Sequence, residues 1–346
     1  MHRSLTTFAA LIAATGGALG AGAGTALADG TPATTTPTTT TPTTTHPPPL
    51  KQSPVSAHPR LYLSGTITVK HAAVTVPGRA VKLRGYVSYV RGQRVLVRAY
   101  VDHRQFKHGL YRVRRAPDGR HGEFTITLRS PSAGTVRVTI THARTPQMLG
   151  FVARSAYASL SETASFGARG PLITLVQHRL AALHVYIPQT GVYDTQTRWA
   201  LNAYHRLLGW GEGDDRIDAR TVNALLAGKG VFHVRYPHDG KHVEGNLATQ
   251  LIALVYGSRV YRIYPISSGK PSTPTVLGRF QVYSRVPGYL PDGMYYSSFF
   301  YRGYAVHGYD PAPDYPASHG CMRLPIIDAI SVYDWLNYGD RVDVYR

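Results

Sequence analysis

The hydrophobic period of this 346-residue chain changes twice, and each change limits what the stretch can become. From about residue 58 to 157 apolar and polar residues alternate. Val95, Val97, Ala99 and Val101 share one face, as do Phe124, Ile126 and Leu128, and Val136, Val138 and Ile140. A period of 2 lines one face of a strand. Between about 166 and 229 the spacing becomes helical, with Leu172, Leu175, Val176, Leu180 and Leu183 in one stripe. Trp199, Ala200, Tyr204 and Leu207 make a second, and Val222, Leu225 and Leu226 a third. From about 240 short apolar runs return.

The first stretch is broken by the turn signals Pro77-Gly78, Arg91-Gly92, Pro117-Asp118-Gly119 and Ala133-Gly134. About seven short strands at this spacing predict an antiparallel immunoglobulin-like β-sandwich over 58–157. In the second stretch Asp194, after Gly191-Val192-Tyr193, is placed as a helix N-cap, and another stop and start runs from Gly209 to Asp215, before Asp218. In the third, 250–256 and 260–266 are strands joined by Gly257-Ser258, a pair suited to a type II′ turn. Residues 280–284, 305–307 and 342–345 add strand candidates. One helix is predicted after Pro325, with Ile326, Ile330, Tyr333 and Leu336 on one face and Gly339 beyond its end. The expected fold is multidomain and mainly β: a sandwich, a small three-helix domain over 166–229, and a β-rich domain over 240–346 with one helix after its cysteine.

The N-terminal residues read as an export signal over 1–28. Arg3 gives a positive start, 5–14 an apolar stretch and Ala26-Leu27-Ala28 a small-residue cleavage site. The glycines at 16, 17, 20, 22 and 24 interrupt the run that a membrane anchor would need. No membrane span is expected after cleavage. Residues 29–57 are dominated by Thr and Pro, a composition that cannot bury a core and predicts an extended, disordered stalk.

The net charge of +19 is unevenly spread. Residues 51–155 hold 19 Lys and Arg against Asp102, Asp118 and Glu123, a net +16, whereas 156–346 carry a net +3. One module therefore holds the basic character. In an exported protein this points to anionic cell-wall polymers or anionic headgroups rather than nucleic acid.

Cys321 is the only cysteine. With no partner for an intramolecular disulfide, it is buried, paired between chains or reactive, and its neighbours favour reactivity. It lies in Ser318-His319-Gly320-Cys321-Met322-Arg323, with His307-Gly308 fourteen residues upstream of Cys321. Metal-free amide exchange needs a nucleophile, a proton carrier and donors for an oxyanion. A thiol, two imidazoles and a glycine-lined backbone meet that requirement. A zinc site from His307, His319 and Cys321 with Asp310 or Asp314 lacks the usual ligand spacing. No cofactor and no metal are expected.

Two segments resemble known families. Leu175-x-Gln177-x-x-Leu180-x-x-Leu183, Gly191-x-Tyr193-x-x-x-Thr197 and Thr221-x-x-x-Leu225 are similar to the three-helix peptidoglycan-binding domain of wall enzymes. It departs from that pattern at Tyr204-His205 and at Asp214-Asp215-Arg216. His307-Gly308 with Ser318-His319-Gly320-Cys321-x-Arg323, preceded by Ser268-Gly269-Lys270-Pro271 and 274–280, resembles the YkuD-like L,D-transpeptidase catalytic domain. Tyr309 and the short insert rich in Pro and Asp before Ser318 depart from the commoner form. The resemblance implies Cys321 as nucleophile, His307 as base and His319 in support of the loop. Gly308, Ser318, Gly320 and Arg323 would support substrate or oxyanion. It further implies peptidoglycan stem peptides as donor and acceptor, and localisation in the cell wall. With water as acceptor the same site is an L,D-carboxypeptidase, and with a dead site the chain is a wall-binding structural protein.

Overall fold

Ten strands build the basic module in a computed structural model that describes residues 53–211 and 216–346. They are β1 (Arg60–Ser64), β2 (Ile67–Val69), β3 (Ala72–Thr75), β4 (Val81–Ser88), β5 (Arg94–Val101), β6 (Arg104–Arg112), β7 (Arg114–Arg115), β8 (His121–Leu128), β9 (Gly134–His142) and β10 (Phe151–Ser159). The segment 1–28 and most of the stalk lie outside the described residues. Residues 53–57 do not: Val55 N–H donates to Gln147 O and Ala57 O accepts from Ser88 N–H, so the end of the Thr/Pro stretch is bonded to the sandwich.

Two sheets, ordered β1-β4-β8-β7 and β2-β3-β10-β9-β5-β6, face each other across one core. Every side chain that alternation assigned inward on β5, β8 and β9 is buried. Among the described strands of this module the expected antiparallel order fails where β3 pairs with β10 in parallel. About seven strands were expected and ten are found, because short pieces such as β2 and β7 carry too few residues to show a period.

Three helices follow: α1 (Pro171–Ala182), α2 (Thr195–Leu207) and α3 (Ala219–Leu226). Asp194 and Asp218 cap α2 and α3 by accepting from Thr197 N–H and Thr221 N–H. Such caps stabilise a helix by about 1 kcal/mol. The sequence showed one apolar stripe on α1, yet all of 172–177 is buried. The helix is wedged: its core also contains Val69, Val74 and Val76 from the sandwich side and Leu251, Ala253, Val255 and Ile263 from the C-terminal sheet. Gln177 tolerates this burial because its amide is fully used. It donates to Thr190, Val192 O and Thr197 and accepts from Gly191 N–H.

The C-terminal domain contains β11 (Lys241–Asn246), β12 (Leu251–Tyr256), β13 (Arg259–Pro265), β14 (Gly278–Gln281), β15 (Ser284–Tyr289), β16 (Tyr295–Tyr301), β17 (Tyr304–Gly308), β18 (Met322–Leu324), α4 (Ile326–Trp335) and β19 (Arg341–Tyr345). One sheet runs β13-β12-β11-β19-β14 and the other β15-β16-β17-β18. Gly257, at φ +58°, turns β12 into β13. The helix after Pro325 forms; of the residues expected on one face, Leu336 is buried, Ile326 and Tyr333 are half-buried and Ile330 is exposed. Asp328, Ala329, Val332 and Leu336 point inward and Ile330 faces solvent. Asp328 turns inward because Gln196 of α2 donates to its Oδ1 at 2.5 Å. With nineteen strands and four helices among the described residues, the protein is mainly β. None of those helices is long and apolar enough to cross a membrane.

Candidate active site

β17 and β18 run in parallel, with Val306 opposite Met322 and His307 opposite Arg323. Cys321 is the residue before β18, so the pairing brings it alongside the start of β17. There Ala305 N–H donates to Sγ at 3.4 Å, and the thiol faces Gly303 O at 3.6 Å. Local sequence fixes the approach. Gly320 has φ +120°, and a Cβ there would lie 2.1 Å from the Tyr304 ring, so only glycine fits. Ser318 braces the turn, accepting from Gly320 N–H at 3.0 Å and donating to Cys321 O at 2.6 Å.

His307 is 2% exposed, and its Nδ1–H donates to Gly308 O at 2.8 Å. That bond leaves Nε2 as the nitrogen able to accept a proton. Burial pushes the His307 pKa down to about 4, with Arg323 adding to the effect and the Gly308 bond and Asp292 opposing it. Burial likewise pushes the Cys321 thiol up, against the Ala305 bond and Arg323. Near neutral pH the resting pair is therefore a neutral imidazole and a neutral thiol. Both groups sense the same Arg323 and Asp292, which puts them in one electrostatic environment. Behind them α4 packs directly on Gly308, where a Cβ would meet Ala329 Cβ at 2.6 Å.

The other expected residues divide. Arg323 stacks over the Tyr309 ring at 4.0 Å, and the same ring stands edge-on to His307 at 5.9 Å. Arg323 does not pair with Asp328, whose carboxylate accepts from Gln196. His319 is exposed, with its ring 3.3 Å from Lys270 Nζ. Gly320 N–H, expected near an oxyanion, is instead bonded to Ser318. Asp292, in the turn between β15 and β16, escaped sequence reading, since a lone acid in a Pro-Asp-Gly turn carries no distance information. Among the described residues no group of three His, Cys, Asp or Glu side chains is arranged to hold a metal ion.

With the thiol, imidazole and glycines so placed, residues 240–344 match the family model of the L,D-transpeptidase catalytic domain, YkuD. The C-terminal segment is a YkuD-family L,D-transpeptidase catalytic domain. YkuD of Bacillus subtilis (strain 168), named as a candidate L,D-transpeptidase, is 33% identical over 109 residues, covering 30% of this chain and 66% of that protein. The match thus spans slightly under two thirds of the relative. The L,D-transpeptidase structure (residues 123–326) from Xylanimonas cellulosilytica DSM 15894 is 30% identical. That alignment covers 53% of this chain and 98% of the other, with a TM-score of 0.48. An L,D-transpeptidase from Mycobacterium smegmatis aligns over 85% of this chain and all of its own at 13% identity and a TM-score of 0.28.

Proposed function

We propose that the protein is an exported L,D-transpeptidase that cross-links peptidoglycan stem peptides through a Cys321 thioester. The observation that carries this reading is the bond from His307 Nδ1–H to Gly308 O, which leaves Nε2 as the nitrogen able to accept a proton. Sγ attacks the carbonyl before the terminal D-alanine of a tetrapeptide stem while its proton passes to His307. The C–N bond breaks, His307 returns the proton to the leaving amine, and a thioester remains. The side-chain amine of a neighbouring stem then attacks, its proton passes to His307, and the C–S bond breaks to restore the thiol. We assign the oxyanion to the N–H of Cys321, since that of Gly320 is engaged. Arg323, held over the Tyr309 ring, is assigned to a substrate carboxylate, and His319 to support of the loop.

A thiol whose pKa is raised gains nothing from acidity, so the rate enhancement rests on orientation and oxyanion donors, each worth about 100-fold or more. Intact mass after incubation with disaccharide-tetrapeptide tests the reading. The wild type gains an acyl group on Cys321, and Cys321→Ser gains none. Cross-linked dimer as product identifies transpeptidation, trimmed monomer an L,D-carboxypeptidase, and no adduct a structural protein. The acid limb of single-turnover acylation follows His307 and falls near pH 4 rather than 6.5. His307→Ala loses several orders of magnitude and gains a rate that rises with hydroxide.

We read the sandwich as immunoglobulin-like and as the module that holds the enzyme on anionic wall polymers. On the outer face of its six-stranded sheet, Arg154, Thr139, Arg98 and His108 are successive cross-strand neighbours, with Arg137 beside Tyr100 in the next row. β5, β6, β9 and β10 contain no Asp or Glu, so nothing on these four adjacent strands offsets that charge. The three helices we read as a peptidoglycan-binding-type domain.

A further inference from the structure

α2 reaches the site from both of its ends. Near its start, Gln196 bonds Asp328 of α4, the helix packed behind His307-Gly308. Near its end, the Arg206 side chain, 6% exposed, donates from Nη1 to Gln250 O at 2.6 Å and Ile266 O at 2.9 Å, and from Nη2 to Asp314 O at 2.5 Å. These three carbonyls belong to the turn before β12, the residue after β13, and the segment that joins His307-Gly308 to the cysteine turn.

From those carbonyls an unbroken set of bonds leads to Cys321. Ser267, next to Ile266, exchanges backbone bonds with Arg323 at 2.8 and 2.9 Å, and its hydroxyl donates to Tyr315 O at 2.6 Å. Ser268 O accepts from both Ala317 N–H and Ser318 N–H at 2.9 Å, while Ser268 itself is gripped by the Gln250 amide. Ser318 then fixes Gly320 and the carbonyl of Cys321. A guanidinium presents five N–H donors in a planar fork, so one side chain can hold three carbonyls in a fixed relation. An ammonium on a flexible stem cannot do so with the same geometry.

We propose that Arg206, a residue of the helical module, is a positioning residue for the acyl transfer at Cys321. The helical module is then a working part of the catalytic site and not only a carrier or a wall-binding attachment. This rests on Cys321 being the acylated nucleophile. Arg206 touches no reacting atom; it holds the 266–268 and 314–318 segments against each other so that the cysteine turn keeps its place under β17. A nucleophile displaced by about 1 Å costs roughly 100-fold in rate.

The test uses the full chain with Arg206→Met, Arg206→Lys and Ser267→Ala. Single-turnover acylation by disaccharide-tetrapeptide is measured beside alkylation of Cys321 by iodoacetamide, which needs only an accessible thiol. Arg206→Met should slow acylation about 10- to 100-fold with KM changed by less than about 3-fold. Its alkylation should stay within about 3-fold of wild type, and Arg206→Lys should recover part of the loss. Ser267→Ala removes only the link to Tyr315 and should slow acylation about 5-fold, which answers the question even if Arg206→Met does not fold. A folded Arg206→Met, or a Ser267→Ala, that acylates as fast as wild type overturns the positioning role. So does a loss matched by equal loss of alkylation. A wild type that takes no acyl group overturns the underlying reading instead.

Discussion

In the sandwich the space between the sheets is filled by apolar side chains, and among residues 53–160 no His, Asp, Glu, Lys or Arg is buried. The catalytic domain is also two sheets, but its central strands β11, β12, β17 and β19 are buried on both faces, and His242, Glu244, His307, Asp328 and Asp343 all lie inside it. A buried charge or its neutral form is tolerated only when partners replace water. Glu244 shows how completely this is done. Its carboxylate accepts from the N–H groups of Arg235 and Tyr236, from His242 at 3.3 Å and from the Tyr345 hydroxyl at 2.9 Å. Burial opposes its ionisation, but these donors outweigh burial and hold its pKa below the ordinary value. The sandwich is thus a surface whose charges can change at little cost to the fold, whereas the catalytic domain is a polar framework that depends on its inner charges.

The contrast breaks if an inner charge proves dispensable. Glu244→Leu leaves two backbone N–H groups and His242 without their acceptor, and should destabilise the protein by about 3–5 kcal/mol in urea unfolding at pH 7. A loss below about 1 kcal/mol would show that the network is ornamental. Asp328 sharpens the contrast through pH. Burial raises its pKa from 3.8 to about 7, so between those values the folded protein holds a proton that the unfolded chain has released. Stability from this group is complete below pH 3.8 and declines as pH rises towards 7. Asp328→Asn, which still accepts from Gln196, should match wild type near pH 4 and exceed it by at most about 4 kcal/mol at pH 8. Superimposable melting curves at pH 8 would count against a buried neutral acid. The smallest effect belongs to the sandwich. Arg98→Ser with Arg154→Ser should change stability by less than about 0.5 kcal/mol while weakening retention on anionic wall polymer at physiological salt. Unchanged retention would move the anchor to another face.

The thiol, the upstream His-Gly and the cysteine turn were legible because 318–323 is contiguous and its partner strand ends in the other half of the motif. The inward faces of β5, β8 and β9 were legible for a related reason: alternation is a local signal. What escaped is carried by distance in sequence. Arg206 finds carbonyls 44, 60 and 108 residues away, and Gln196 finds Asp328 across 132. The second of these contacts also explains the misjudged position on α4, where an isoleucine yields the inside to an aspartate. β16 went unnoticed because Ser297 and Ser298 are both buried and erase the period within Tyr295–Tyr301. Tyr309 was visible as an oddity beside His307-Gly308, but its place between His307 and Arg323 needed the parallel pairing of β17 and β18.

The core that α1, α2 and α3 share with β12 and β13 also imposes an order on events during synthesis. Chains of this kind fold from the N-terminus as they emerge, domain by domain. The sandwich can close on its own, since its interior is complete by Tyr157. The helices cannot. Leu251, Ala253, Val255 and Ile263, which finish their apolar surroundings, are not made until after α3 has appeared. For that interval the middle of the nascent chain exposes apolar surface, and it is the arrival of the catalytic domain that ends its vulnerability.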